Sequence, residues 1–467
     1  MNAPHVDEAI HPVTEISSPA RPGLFHDVGK TLRLAMPLMA AQLAVIGLGL
    51  VDTVAFGIIG TDVLAAGGLA VAVFVLANIF CVGIVRAVGN QVAWAHGEND
   101  DTAIRNAVRG GILVAVCLGG LMVVTLAASG PVLAFLGQPP DLIGPATIYL
   151  TWAGLGILPN LIYTTLHGLT VGLSRPGATT VITFLAVVVK ATVNSFIVAA
   201  GLGGADAMMA LGLSTTMTFA FMALLIWLYC RRAMRSYLAL PRMETVRHPC
   251  TRETITLGLP IGFTYAVEAG LFSAVALIVG RFGAEAIAAH QVANQCAHFT
   301  YMLAVGLSHA ASVRIGHSAG RRDQTEARRL GLQSFVLGLA VMTATATIFI
   351  ILGEDIARLI VGNGKAVNRE VVELAAGLLM VAAAFQWFDG LQIIAIGALR
   401  GLKDTTSILR AAIVGYWIVG VSAAWILAQV ITPAAVGAWI GIGLGLVTAA
   451  ALMISRFMRL TGNTGRG

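Results

Sequence analysis

Charge is scarce in this 467-residue chain: Asp, Glu, Lys and Arg together make up 11% of it, against roughly 25% in an average globular domain. Apolar residues reach 57%, and long uncharged runs recur from end to end. A soluble protein can hide a few such runs but not a dozen. Cysteine is also sparse. Cys81, Cys117, Cys230, Cys250 and Cys296 are odd in number and dispersed, which excludes a zinc motif and a disulfide framework. No phosphate-cradling Gly-rich loop is present, so direct ATP drive is not expected, and no nucleophile or metal constellation suggests an enzyme. The opening stretch "HVDEAIHPVTEISSPARPG" (5–23) lacks the basic start and apolar core of a signal peptide and reads as a flexible tail over 1–30.

What is abundant is the membrane-crossing run. A spanning helix needs about 20 mostly apolar residues, and twelve such runs fall near 34–59, 64–92, 108–130, 143–167, 177–199, 207–229, 254–280, 286–312, 331–352, 371–396, 407–427 and 433–455. The net charge of +6 does not point to nucleic acid, because the basic residues cluster between the runs. With both termini cytoplasmic, all 29 basic residues fall on inner loops and span ends except Arg86, Lys190, Arg281, Arg358, Lys365 and Arg369. The positive-inside bias therefore predicts N-in and C-in.

The chain also repeats. Sliding it by 223 positions lays Pro37 on Pro260, Ala65 on Ala288, Ala66 on Ala289, Gly83 on Gly306, Gly97 on Gly320, Asp100 on Asp323 and Arg105 on Arg328. Farther on, "GLTVGL" (168–173) meets "GALRGL" (397–402) at an offset of 229. This predicts an all-α polytopic membrane protein with two parallel six-helix bundles, an arrangement typical of carriers that rock about a central cavity. The expected divisions are an N-lobe over 31–235, a linker over 236–252, a C-lobe over 253–456 and a tail over 457–467. Pro37, Pro159 and Pro260 lie inside or at the ends of spans, where each removes a backbone hydrogen bond.

Three carboxylates stand alone in uncharged segments: Asp52 in "LGLVDTVAFG", Glu268 in "TYAVEAGLFS" and Asp389 in "FQWFDGLQII". A charge at such depth costs about 2.5–3.5 kcal/mol on insertion scales. It is accommodated by holding a proton, binding a cation or pairing with Arg or Lys, and a cation-coupled carrier uses all three; the alternative is a structural ion pair. Lys190 and Asn194 share one face of span five, being four apart, and Asp52 is the partner nearest by lobe. Asn160 is the repeat mate of Asp389 and joins them as a candidate N-lobe polar group. Arg86 is expected to snorkel to the interface. His290, His298 and His309 line span eight as polar packing. Phe263, Tyr265, Phe385, Trp387 and Phe388 cluster in sequence around the two C-terminal carboxylates, where in a cavity they would offer flat faces to organic cations.

Taken together, "PLMAAQLAVIGLGLVDTVAFG", "EAGLFSAVALIVG" and "FDGLQIIAIGALRGLKDTT" resemble the multidrug and toxic compound extrusion (MATE) family, and its NorM-like bacterial branch in particular, from about residue 30 to 455. That resemblance implies a V-shaped inner-membrane antiporter, working as a monomer without a bound cofactor. Such a carrier exports amphipathic, often cationic drugs in exchange for Na⁺ or H⁺. It places cation coupling on Glu268 and Asp389, with Asp52 in the N-lobe. Where the family commonly has two asparagines four apart in span five, this chain has Lys190 and Asn194, so an N-lobe Na⁺ site is not expected. The alternative is a lipid-linked precursor flippase of the same wider superfamily, which would carry more cationic residues in its cavity.

Overall fold

In hydrocarbon every backbone polar group must be satisfied within its own segment, and a helix does this for a single uncharged run. The computed structural model describes residues 28–238, 240–241, 243–361 and 369–462, and the elements among them are helical. In the first half these are α1 (Val28–Ile59), α2 (Thr61–Val85), α3 (Ala87–Gly97), α4 (Asp101–Ala127), α5 (Ser129–Phe135), α6 (Pro140–Gly154), α7 (Ile157–Gly172), α8 (Gly177–Ala199) and α9 (Gly204–Ala233). A 3₁₀ turn, Met243–Arg247, leads into the second half: α10 (Pro249–Gly280), α11 (Ala284–Gly320), α12 (Gln324–Val361), α13 (Arg369–Gly401), α14 (Thr405–Ala412), a π-helical stretch Ile413–Val421, α15 (Ser422–Val430) and α16 (Ala434–Gly462). The tail expected over 1–30 lies outside the described residues up to 27, as does Lys365. The tail expected from 457 is helical through Gly462.

Ten of these stretches are long and apolar enough to cross a membrane, or eleven if the bent pair α6–α7 is one span. Two expectations change here. The run at 143–167 is not one rod but two helices bent by 41°. Pro159 has no N–H to return to Leu155, and Gly156 lies against Thr216, where a Cβ would come within 2.9 Å of the Thr216 Cα. The run at 286–312 belongs to the 37-residue α11, which is not among the apolar ten, carrying His290, Gln291, Asn294, Gln295 and His298. On α11, Gln291, Gln295 and His298 are exposed, while Gly306 to Gly320 is mostly buried.

The repeat is visible in local structure. Asp100 caps α4 by accepting from the Thr102 and Ala103 amides at 2.9 Å, and its mate Asp323 accepts from the Glu326 amide at the start of α12 at 2.9 Å. Apolar packing divides the same way. One large core draws mainly on residues from Leu271 onward, and two others lie wholly within the first half.

The halves meet through α1 against α11, α2 against α10, and α3 against α11. At the end that carries the basic loops, Gly97 and Gly320 face each other: the Gly97 Cα lies 3.0 Å from where a Cβ on Gly320 would be, and the reverse distance is 3.1 Å. Those side chains would also overlap the carbonyl oxygens of His317 and Trp94, so only glycine permits this approach. Gly320→Leu is therefore expected to wedge this end open. In a background without the five native cysteines, a cysteine at Asn90 should then react faster with a water-soluble maleimide. Unchanged reactivity would contradict a gate closed by backbone contact.

Candidate functional site

Two clusters of buried polar groups stand apart, one in each half. In the first, the Asp52 carboxylate on α1 is paired with Lys190 Nζ on α8 at 2.8 Å, both nearly inaccessible. Asn194, one turn on, donates to Asp52 Oδ1 at 3.0 Å and accepts from Ser214 Oγ at 2.6 Å. Lys190 also donates to Thr215 Oγ1 at 2.9 Å, and the Tyr149 hydroxyl sits 3.3 Å from that oxygen and 3.5 Å from Asp52. Four helices thus converge on one carboxylate. Lys190 and Asn194 both reach Asp52 from one face of α8, and the lysine is held at this depth by pairing with that carboxylate. A metal ion at Asp52 would have to displace an ammonium already in contact.

Asn160 does not join this network. It lies just past the α6–α7 bend, which turns it toward α2, where its Nδ2 donates to Asn78 Oδ1 at 2.8 Å.

In the second half, Pro260 interrupts the hydrogen bonding of α10, and two turns later Glu268 is buried to 7% exposure. Tyr301 of α11 lies close enough to interact with its carboxyl. Asp389 on α13 is half-buried and within electrostatic reach of Glu268, and Tyr301 and Tyr416 lie within reach of both carboxyls. Neither carboxylate has an Arg or Lys ion-pair partner among the described residues. Close by, Gln392 donates to the Tyr416 hydroxyl at 2.5 Å, while its own Oε1 is buried with no hydrogen-bond partner among the described residues. Oxygen-rich surroundings of this kind suit a proton or a hard cation such as Na⁺. No group of three or more His, Cys, Asp and Glu converges among the described residues, so a metal held here would rely on hydroxyl and amide oxygens besides Glu268 and Asp389.

The five aromatics do not form one wall. Phe263 is 48% exposed and packs edge-on against Phe80 of the first half. Phe385 packs on Trp439, while Trp387 is exposed and donates to Thr343 at 3.1 Å; Phe388 is also exposed. Tyr265 is already engaged by cations of the protein itself, with the guanidinium carbons of Arg86 and Arg400 at 5.7 and 5.0 Å from its ring centroid. Arg86 does not snorkel, because its Nη1 donates to Tyr265 Oη at 2.9 Å and lies 3.0 Å from His309 Nε2. His290 accepts from Trp439 Nε1 at 3.0 Å and His298 stacks on Tyr301.

Sequence reasoning missed Tyr149, Ser214 and Thr215 in the first half, and Tyr301, Tyr416, Gln392 and Arg400 in the second. One signal was available, since Arg86 and His309 are 223 apart, the repeat offset itself.

Comparison with known proteins accounts for both halves. The MatE family model matches residues 37–196 and 260–426. A probable multidrug resistance protein NorM of Bradyrhizobium diazoefficiens (strain JCM 10833 / BCRC 13528 / IAM 13628 / NBRC 14792 / USDA 110) is 38% identical over 436 residues, covering 92% of this chain and 93% of that protein. Among solved structures, MATE in complex with MaL6 superposes with a TM-score of 0.84 at 17% identity, covering 92% of this chain and 96% of that one. An outward-facing multidrug resistance MATE family transporter of the MOP superfamily gives 0.83 at 18% identity, with 92% and 95% covered. Similarity that runs through both repeats leaves one assignment: this chain belongs to the MatE family of membrane transporters, close to its bacterial NorM-like members.

Proposed function

We propose that the chain is an inner-membrane antiporter that exports amphipathic, often cationic organic compounds in exchange for H⁺ or Na⁺. The observation that carries this is the second-half cluster: two carboxyls, with Glu268 in electrostatic reach of Asp389 and neither locked in an ion pair among the described residues. Two such groups can share a proton or cation and release it when access changes. The first-half carboxylate, Asp52, has its countercharge built in, so coupling resides in the second half, and Asp52 opens only when proton or substrate displaces Lys190.

The architecture that fits this function has twelve crossings, counting α6–α7 as one and α11 despite its polar face. They form lobes over 31–235 and 253–456 joined by 236–252, with both termini cytoplasmic and the molecule working as a monomer. The exposed polar face of α11 at one end, and its burial at the other, supports a V open away from the basic loops. Alternating access then means parting the contacts at Gly97 and Gly320. Lipid surrounds the outer faces, and nothing in the charge distribution calls for nucleic acid. The flippase reading is disfavoured by the 38% identity to a probable multidrug resistance protein NorM over 92% of this chain.

In inside-out proteoliposomes, an imposed H⁺ or Na⁺ gradient is expected to drive accumulation of ethidium, and which gradient works identifies the coupling ion. No gradient-dependent movement of any compound in a broad panel of dyes and antibiotics would refute drug antiport.

A further inference from the structure

Where α2 gives way to α3 and α13 nears its end, two guanidiniums converge on a single phenol. Arg86 Nη1 and Arg400 Nη1 donate to Tyr265 Oη at 2.9 and 3.1 Å. The first arginine belongs to one half of the molecule and the second to the other. Arg400 is only 7% exposed, and its Nε and Nη2 are buried with no hydrogen-bond partner among the described residues. Beside them lies a cavity of about 40 Å³ lined by Arg86, Arg400, His167, His309, Asn90 and Ser312, among others. Among the described residues, no acidic one is in its lining. Glu268, one turn from Tyr265 on α10, is the carboxylate that Arg400 feels, but it lies outside this cavity.

A buried charge with unmet donors is costly: about 1–3 kcal/mol for each orphaned polar group, and more for charged ones. Two like charges sharing a neutral acceptor add repulsion in a low-dielectric setting. The cavity exceeds the ~10–15 Å³ that admits one water and falls far short of the ~300 Å³ at which drug-sized pockets begin. We propose that it binds a small monovalent inorganic anion of chloride size, bridging Arg86 and Arg400 at the seam between the halves. Because its ligands come from both halves, the anion favours the arrangement that brings them together. It therefore acts as a pin holding the basic end shut, and it is released when the halves separate.

The probe is chloride itself, titrated against gluconate at constant Na⁺ on the full-length protein in nanodiscs, with unfolding followed by tryptophan fluorescence. Chloride is expected to give a saturable rise in Tm of about 2 °C or more, with bromide equivalent and gluconate inert. Arg400→Gln should abolish the response and Arg400→Lys should keep part of it. In crystals grown in bromide, an anomalous peak should lie between the two guanidiniums. Equal Tm in chloride and gluconate, an undiminished response in Arg400→Gln, or bromide density absent from this cavity would each overturn the proposal in favour of a water-filled seam. If Arg400→Gln does not fold, the wild-type titration and the bromide density still decide. The assay needs no transported compound, so its outcome is independent of whether the exported substrates are drugs.

Discussion

Lys190→Met is expected to destabilise the protein by about 3–5 kcal/mol, the range for breaking a buried pair by removing one partner. The cause is not loss of attraction alone, since desolvation cancels much of that. It is the Asp52 carboxylate left behind at 6% exposure with only Asn194 and a distant Tyr149 hydroxyl to solvate it. Removing both charges in Asp52→Asn/Lys190→Met should recover most of the loss, because no charge is then stranded. Thermal unfolding of the purified variants decides this. A single variant indistinguishable from wild type would mean that water reaches Asp52 and that the pair is dispensable.

The second large effect concerns coupling rather than folding. Glu268→Gln preserves the shape and hydrogen-bonding capacity of the side chain but removes the group that can gain or lose a proton or neutralise Na⁺. Gradient-driven uptake should fall to the rate of protein-free liposomes, while insertion, Tm and dye binding stay close to wild type. Asp389→Asn should impair transport as well, since the two carboxyls interact. Losing Glu268 should cost more transport than any change at Lys190, if coupling resides in the second half. Retention of gradient-driven uptake by Glu268→Gln would place coupling elsewhere, with Asp52 the next candidate.

The sequence announced these groups because of their expense. An Asp, Glu or Lys in an uncharged run has to be explained, so Asp52, Lys190, Glu268 and Asp389 could be found without coordinates, and the four-residue step to Asn194 gave the facing side. The hydroxyls and amides that complete both clusters could not be found this way. Tyr149, Thr215, Tyr301 and Gln392 sit in apolar helices where such residues are common and cost little. Helix existence was legible from run length, but the bend at Leu155–Gly156 was not, although Gly156 and Pro159 both marked it. Arg400 hid for a different reason: within "GALRGLKDTT" it reads as one more basic residue near an inner loop, and only packing against the other half reveals its burial. Contacts between halves are set by the pseudo-symmetry of the whole molecule, which no local window contains.

That pseudo-symmetry has a consequence for the contact between Arg86 and His309. These two residues are repeat mates that touch, so the contact lies on the axis relating the halves. In a symmetric pair of separate six-helix chains, a residue on that axis meets its own copy, and any arginine there would face an arginine. Covalent fusion of the two copies removes that constraint, since each side of the axis can then mutate alone. An arginine can face an imidazole that lends it a nitrogen lone pair, and this one contact no longer carries the arginine–arginine clash that exact symmetry would impose. A half-molecule expressed by itself should therefore dimerise poorly through this face when it keeps Arg86, and better when Arg86 is replaced by His.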